Sequence, residues 1–237
     1  FLGLFNVCGR GEQTNAVMAA AEARQWGRMV ELVNEGADVL GRDRHGHTPL
    51  IMAAWSGQTG AVKRLLAAGS AAEGRDDFGN TALITAAAAG FPKVVELLLE
   101  GGATVNATNA RGETALMRAA AMTNLRSKEQ SILSGTDGHK RYGALMVDTS
   151  PMGERMLEYV VSEDHRDAVP ILVAHGADVN LRDRYGNSAL SKAIFRGNLT
   201  LACFLVEKGA DVNGRHVGGF TPLMFAVLDG RPSIVQY

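Results

Sequence analysis

The chain of 237 residues carries 24 basic and 25 acidic side chains, a formal charge of −1, which removes the broad phosphate attraction that a nucleic-acid binder would need. An apolar fraction of 46% with 21% charged residues is ordinary for a packed globular chain and excludes a largely disordered one. No run approaches the roughly 18 apolar residues of a membrane span, and two cysteines, Cys8 and Cys203, are too few for a disulfide framework or a cysteine-rich zinc site.

Residues 1–13 open with Phe1-Leu2-Gly3-Leu4-Phe5 and are read as a cap on the rest of the chain, with the remnant of an apolar leader as the alternative. From residue 14 onward a period of 33 organises the chain. Its origins are Asn15, Thr48, Thr81 and Thr114, then, after a gap, Ser188 and Thr221. All are residue types whose side-chain oxygen caps a helix N-terminus. Two before each of these origins except the first, where Gln13 stands, come Gly46, Gly79, Gly112, Gly186 and Gly219, which mark a turn needing positive φ. Two after it come Val17, Leu50, Leu83, Leu116, Leu190 and Leu223, expected as buried anchors, and five after it Ala20, Ala53, Ala86, Ala119, Ala193 and Ala226, small enough for close helix approach. A second apolar-periodic helix then ends at Gly36, Gly69, Gly102, Gly176 or Gly209.

The gap from Thr114 to Ser188 is 74, or 33 and 41. The reading adopted places a further origin at Arg155 after eight extra residues, because Gly153, Leu157 and Gly176 fall in register. That gives seven units with an irregular fourth and a long loop at about 123–152. The alternative is six units, one of which holds a 41-residue insertion. The last unit is incomplete at Tyr237. Each unit reads as turn, helix, connection, helix, glycine stop and extended return, and such a pair of short helices buries its apolar face only against a neighbour. The expected fold is an all-α repeat solenoid of stacked helix-turn-helix pairs with β-hairpin-like turns.

Thr48-Pro49-Leu50 with Ala53-Ala54, Thr81-Ala82-Leu83 with Ala86-Ala87, Thr114-Ala115-Leu116 with Ala119-Ala120, and Thr221-Pro222-Leu223 with Ala226 resemble the ankyrin repeat signature. Gly36-Ala37-Asp38-Val39, Gly176-Ala177-Asp178-Val179-Asn180 and Gly209-Ala210-Asp211-Val212-Asn213 resemble its second signature. The histidine usual three after the origin is replaced throughout, by Ile51, Ile84, Met117, Glu158, Ser191 and Met224. Stacking is therefore expected to lean more on apolar contact.

No serine elbow, phosphate loop, dinucleotide fingerprint or zinc-protease motif occurs. His45-Gly46-His47 offers two ring nitrogens, too few for a stable metal site, and is read as two exposed turn histidines. Asp164-His165-Arg166-Asp167 falls where charged residues cap helices, and Asp76-Asp77 lies at a turn, where Asp bonds its own backbone. No cofactor or metal is expected, and Cys203 is read as a core thiol.

The resemblance implies a concave face built from turn tips and first helices, and on it the register gathers the candidate partner-binding residues. These are Arg44, His45, Phe78, Arg111, Met152, Arg184 and Tyr185 at the tips, Trp55 and Phe195 seven after the origin, and Phe220 one before it. Tyr142 joins them from a surplus turn over about 136–152, expected on the binding side. Aromatics and arginine are the side chains that dominate binding energy at interfaces. The expected function is a non-enzymatic scaffold for another protein, without nucleic acid or a direct membrane span. The rivals are a subunit fixed in a larger, membrane-associated assembly, and an enzyme or small-molecule receptor built around residues 164–167 and the long turn. The compartment stays open. The cytoplasm is favoured, and the apolar start leaves a periplasmic or membrane-anchored location as the alternative.

Overall fold

The computed structural model describes residues 15–122 and 168–228. Among these residues lie the helices α1 (Ala16–Glu22), α2 (Trp26–Asn34), α3 (Pro49–Trp55), α4 (Thr59–Ala67), α5 (Ala82–Ala89), α6 (Pro92–Glu100), α7 (Ala115–Met122), α8 (Ala168–Ala174), α9 (Ala189–Phe195), α10 (Leu199–Glu207) and α11 (Pro222–Leu228). No strand forms among the described residues beyond one isolated antiparallel bridge, Thr108 to Thr114.

Each first helix begins where its sequence supplies a cap. The Thr48, Thr81 and Thr114 hydroxyls accept from the amides of Ile51, Ile84 and Met117 at 3.2, 3.3 and 3.2 Å. Ser188 and Thr221 accept likewise from Ser191 and Met224, both at 3.3 Å, and the Asn15 carbonyl oxygen accepts from Val17. At Ser188 the cap is reciprocal, because the Ser191 hydroxyl accepts from the Ser188 amide. The glycine columns take positive φ at the tips and at the second-helix stops, as at Gly79 (+75°) and Gly36 (+83°). A third such column, at Gly57, Gly90 and Gly197, turns the chain between the paired helices; in the first unit Arg24 adopts this conformation at φ +55°.

The first helices α1, α3, α5, α7, α9 and α11 stack in one layer, and α2, α4, α6 and α8 in a second. Leu50, Leu83, Leu116 and Leu190 are each 1% exposed and fill the space between the layers, while Ala53, Ala86, Ala119 and Ala193 let the first helices touch. One continuous apolar core runs from Val17 to Ala226. The anchor expectation fails at Leu223, which is 54% exposed on α11.

The seven-unit reading is corrected at the fourth repeat. The tip before Thr114 stacks directly on the tip before Ser188, with the Arg184 amide donating to the Arg111 carbonyl at 2.9 Å. The Asn106 side chain reaches across to the Asp178 amide at 2.9 Å, α7 packs on α9, and α8 packs beneath α7 and beside α6. Among the described residues no repeat stands between them, so α7 and α8 pack as the two helices of one repeat, with residues 123–167 between them in sequence. The extra residues thus fall in sequence between a first and a second helix and not in a tip turn. The origin at Arg155, Tyr142, Met152, residues 1–13 and the cluster 164–167 lie outside the described residues.

A second correction concerns what joins the repeats. Arg42, Arg75, Arg182 and Arg215 recur six before the origin. Arg42 donates to the Arg75 carbonyl at 2.9 Å, Arg75 to the Thr108 carbonyl, and Arg182 to the Arg215 carbonyl at 3.1 Å, each one repeat on. Arg75 also holds the carbonyl of its own tip glycine, Gly79, at 3.0 Å. Stacking therefore rests on an arginine ladder as well as on apolar contact, and the signal for it was the recurring arginine.

Candidate functional site

Four of the described tips are each built by one short side chain. Asp43 Oδ1 accepts from the amides of His45 and His47, Asp76 Oδ1 from Phe78 and Asn80, Asn109 Oδ1 from Arg111 and Glu113, and Asp183 Oδ1 from Tyr185 and Asn187. This is the local bonding that favours Asp and Asn in turns, and it fixes the residue three before each origin at the apex. Successive apices are tied by backbone bonds: the Asp77 amide donates to the His45 carbonyl at 3.0 Å, Ala110 to Phe78 at 2.9 Å and Val217 to Tyr185 at 2.9 Å. His45, Phe78, Arg111 and Tyr185 thus form one row on a backbone with little freedom.

The candidate residues divide on exposure. Phe78, Tyr185, Phe195 and Phe220 are 41%, 58%, 59% and 40% exposed. Arg44, Arg111 and Arg184 are exposed, while His45 and Trp55 are half-buried. The Arg44 Nε lies 3.1 Å from the His45 ring, and Phe220 leans on Phe225 with ring centroids 5.6 Å apart. With no repeat in between, Arg111 and Arg184 become neighbours, a pairing the seven-unit register concealed.

Two positions one before the origin are closed. His47 is buried, its Nδ1 2.7 Å from Asp43 Oδ2, so the two turn histidines are not alike. Burial pushes the Asp43 carboxyl up, but the bonds from His47 and His45 outweigh this and hold it below its ordinary value. Glu113 is also buried and accepts from Lys192 Nζ at 2.7 Å, while Arg118 Nη1 approaches its other oxygen at 3.6 Å. Lys192 donates in turn to the buried Asp183 at 3.0 Å. Burial pushes the Glu113 carboxyl up; the charges of Arg118 and Lys192 outweigh it and leave the group lowered. Asp183 is lowered in the same balance, through Asn187 and Lys192. No group of three metal-ligating side chains occurs among the described residues.

A family model described as ankyrin repeats in three copies matches residues 60–129, 131–216 and 157–237, and a second ankyrin repeat model matches 32–86. The chain belongs to the ankyrin repeat family. Its relatives include an Arabidopsis thaliana protein named E3 ubiquitin-protein ligase XBAT32, 31% identical over 40% of this chain and 18% of its own length. Human Rabankyrin-5 is 39% identical over 32% of the chain and 7% of its own length. Human protein phosphatase 1 regulatory subunit 27 is 44% identical over 22% of the chain and 34% of its own. The chain thus spans about a third or less of each. Ankyrin arrays generally mediate protein–protein interaction, and among the described residues no helix is long and apolar enough to cross a membrane.

Proposed function

We propose that this ankyrin array is a non-enzymatic scaffold that grips a partner protein on the face formed by its tips and first helices. The observation that carries the reading is the set of exposed rings Phe78, Tyr185 and Phe195 held on a hydrogen-bonded, close-packed frame. Apolar rings fixed in advance lose little freedom on binding, so their buried area converts to affinity with a small entropic penalty. Arg111 and Arg184 beside Tyr185 add directional donors. Tyr142 and Met152 are proposed as further contacts from sequence alone.

A photo-crosslinking residue placed at Phe78 or Tyr185, and in a control at the exposed Glu96 on α6, tests the reading in extract from the native source. A specific protein adduct is expected from the two tip positions, and Tyr185→Ala should then weaken binding of that protein by at least about 1 kcal/mol with thermal unfolding unchanged. Adducts confined to the Glu96 position would reject the assignment.

A further inference from the structure

Where repeat four meets repeat five, the ankyrin face collects Arg111 and Arg184 at the tips and Arg118, Lys192 and Arg196 on or beside α7 and α9. Internal ion pairs use only part of this charge. Among the described residues Glu113 and Asp183 are the carboxylates in reach, both are bridged by Lys192, and Glu113 also faces Arg118. Five cations against two carboxylates leave an excess of three positive charges among the described residues here, on a chain whose total charge is −1. Among the described residues no carboxylate lies within ion-pair distance of Arg111, Arg184 or Arg196.

The geometry also shows unmet demand. Arg118 Nε is buried with no acceptor among the described residues. Arg196, at the C-cap of α9, is half-buried, and its burial and the nearby Arg118 charge both act against its positive form. Two desolvated guanidiniums near one another are costly unless an anion sits between them. The exposed Tyr185 and Phe195 belong to the same repeat, so charge and apolar surface are side by side.

We infer that the partner segment docking here is acidic: its carboxylates sit on Arg118, Arg196 and the Arg111–Arg184 pair, and interleaved apolar side chains cover Tyr185 and Phe195. The inference rests on the proposed binding face and names the chemistry of what that face takes. Planar guanidinium forks match carboxylates in bidentate fashion. The small, local excess of charge and the exposed rings beside it favour a peptide over a nucleic acid, whose recognition needs an extended basic stripe.

The test is selection of a random-sequence peptide display library on the whole chain, with affinity measurements on the selected peptides. Enrichment in Asp and Glu alternating with apolar residues is expected. Affinity should fall by about tenfold in Arg111→Gln and in Arg196→Gln, and should weaken with added salt. Arg111 is exposed at a tip, so its variant keeps the fold even if substitution at the half-buried Arg196 loosens α9; thermal unfolding checks both. Selected peptides without acidic enrichment, yet weakened by Tyr185→Ala, would overturn the acidic preference and leave the face standing. Peptides indifferent to Tyr185→Ala and to both arginine variants would overturn the face as well. Labelled oligouridine bound as tightly as the acidic peptides through the same arginines would overturn the carboxylate assignment.

Discussion

An added Cβ at Gly79 would stand 2.7 Å from the Ala110 amide nitrogen, which belongs to the backbone of the next tip and cannot step aside alone. At Gly36 the same atom would meet nothing within 4 Å. The two glycines have similar φ, +75° and +83°, so the left-handed penalty is shared and their difference reports the closeness of stacking. Gly36→Ala should cost about 1 kcal/mol from conformation alone, and Gly79→Ala at least about 2 kcal/mol, since the clash adds to it. Urea unfolding of both variants measures this, and equal losses would show that the tips are not in tight contact. The need for glycine at both positions was legible in the sequence, because a column of glycine at one register position has few other causes. Which of them faced a neighbouring backbone was not, since a period of 33 specifies equivalence and says nothing of distance.

Between elements, the junction of α7 and α9 differs from those that precede it by its buried ion pairs. Lys192 holds two buried carboxylates, and Lys192→Met should cost about 3 kcal/mol at pH 7, because Asp183 is left without its cation and Glu113 keeps only Arg118 at 3.6 Å. Glu113 and Asp183 have lowered folded pKa values, so their contribution is present above the unfolded carboxylate pKa and is lost as pH falls through the folded value. Stability of the parent chain should begin to decline below about pH 5. In Lys192→Met part of the lowering influence is gone, while Arg118 still faces Glu113 and Asn187 still bonds Asp183, so the decline should start at a higher pH, and Lys192→Met with Glu113→Gln should regain part of the loss. Denaturant unfolding across pH 3–7 checks both; identical profiles would remove Lys192 from the network. The sequence concealed this junction because the register placed a seventh unit between Thr114 and Ser188 and so separated Glu113 from Lys192. Helices, caps and leucine anchors were legible because they repeat, whereas the junction is formed by residues that occur once.

At the scale of the molecule, an array joined only through neighbours spreads stability unevenly. Helix α5 lies between α3 and α7 with α6 behind it, and every residue from Ala82 to Ala88 is buried. Helix α11 meets α9 on one side while Leu223, Val227 and Leu228 face solvent. Amide exchange should therefore be slowest in α5 and α7 and fastest, among the described helices, in α11. Leu83→Ala removes a side chain 1% exposed at the centre of the stack, a loss of about 3 kcal/mol. Its effect should pass through contacts and decay with distance: exchange in α3, α5 and α7 should speed up most, and α10, which packs on α9 two junctions away, should change least. An equal acceleration in every helix would mean that the chain opens as a single unit and that neighbour-by-neighbour coupling is the wrong description. A graded response would show that the face around Tyr185 and Arg196 keeps its geometry when a distant repeat is weakened, which a binding surface spread over several repeats requires.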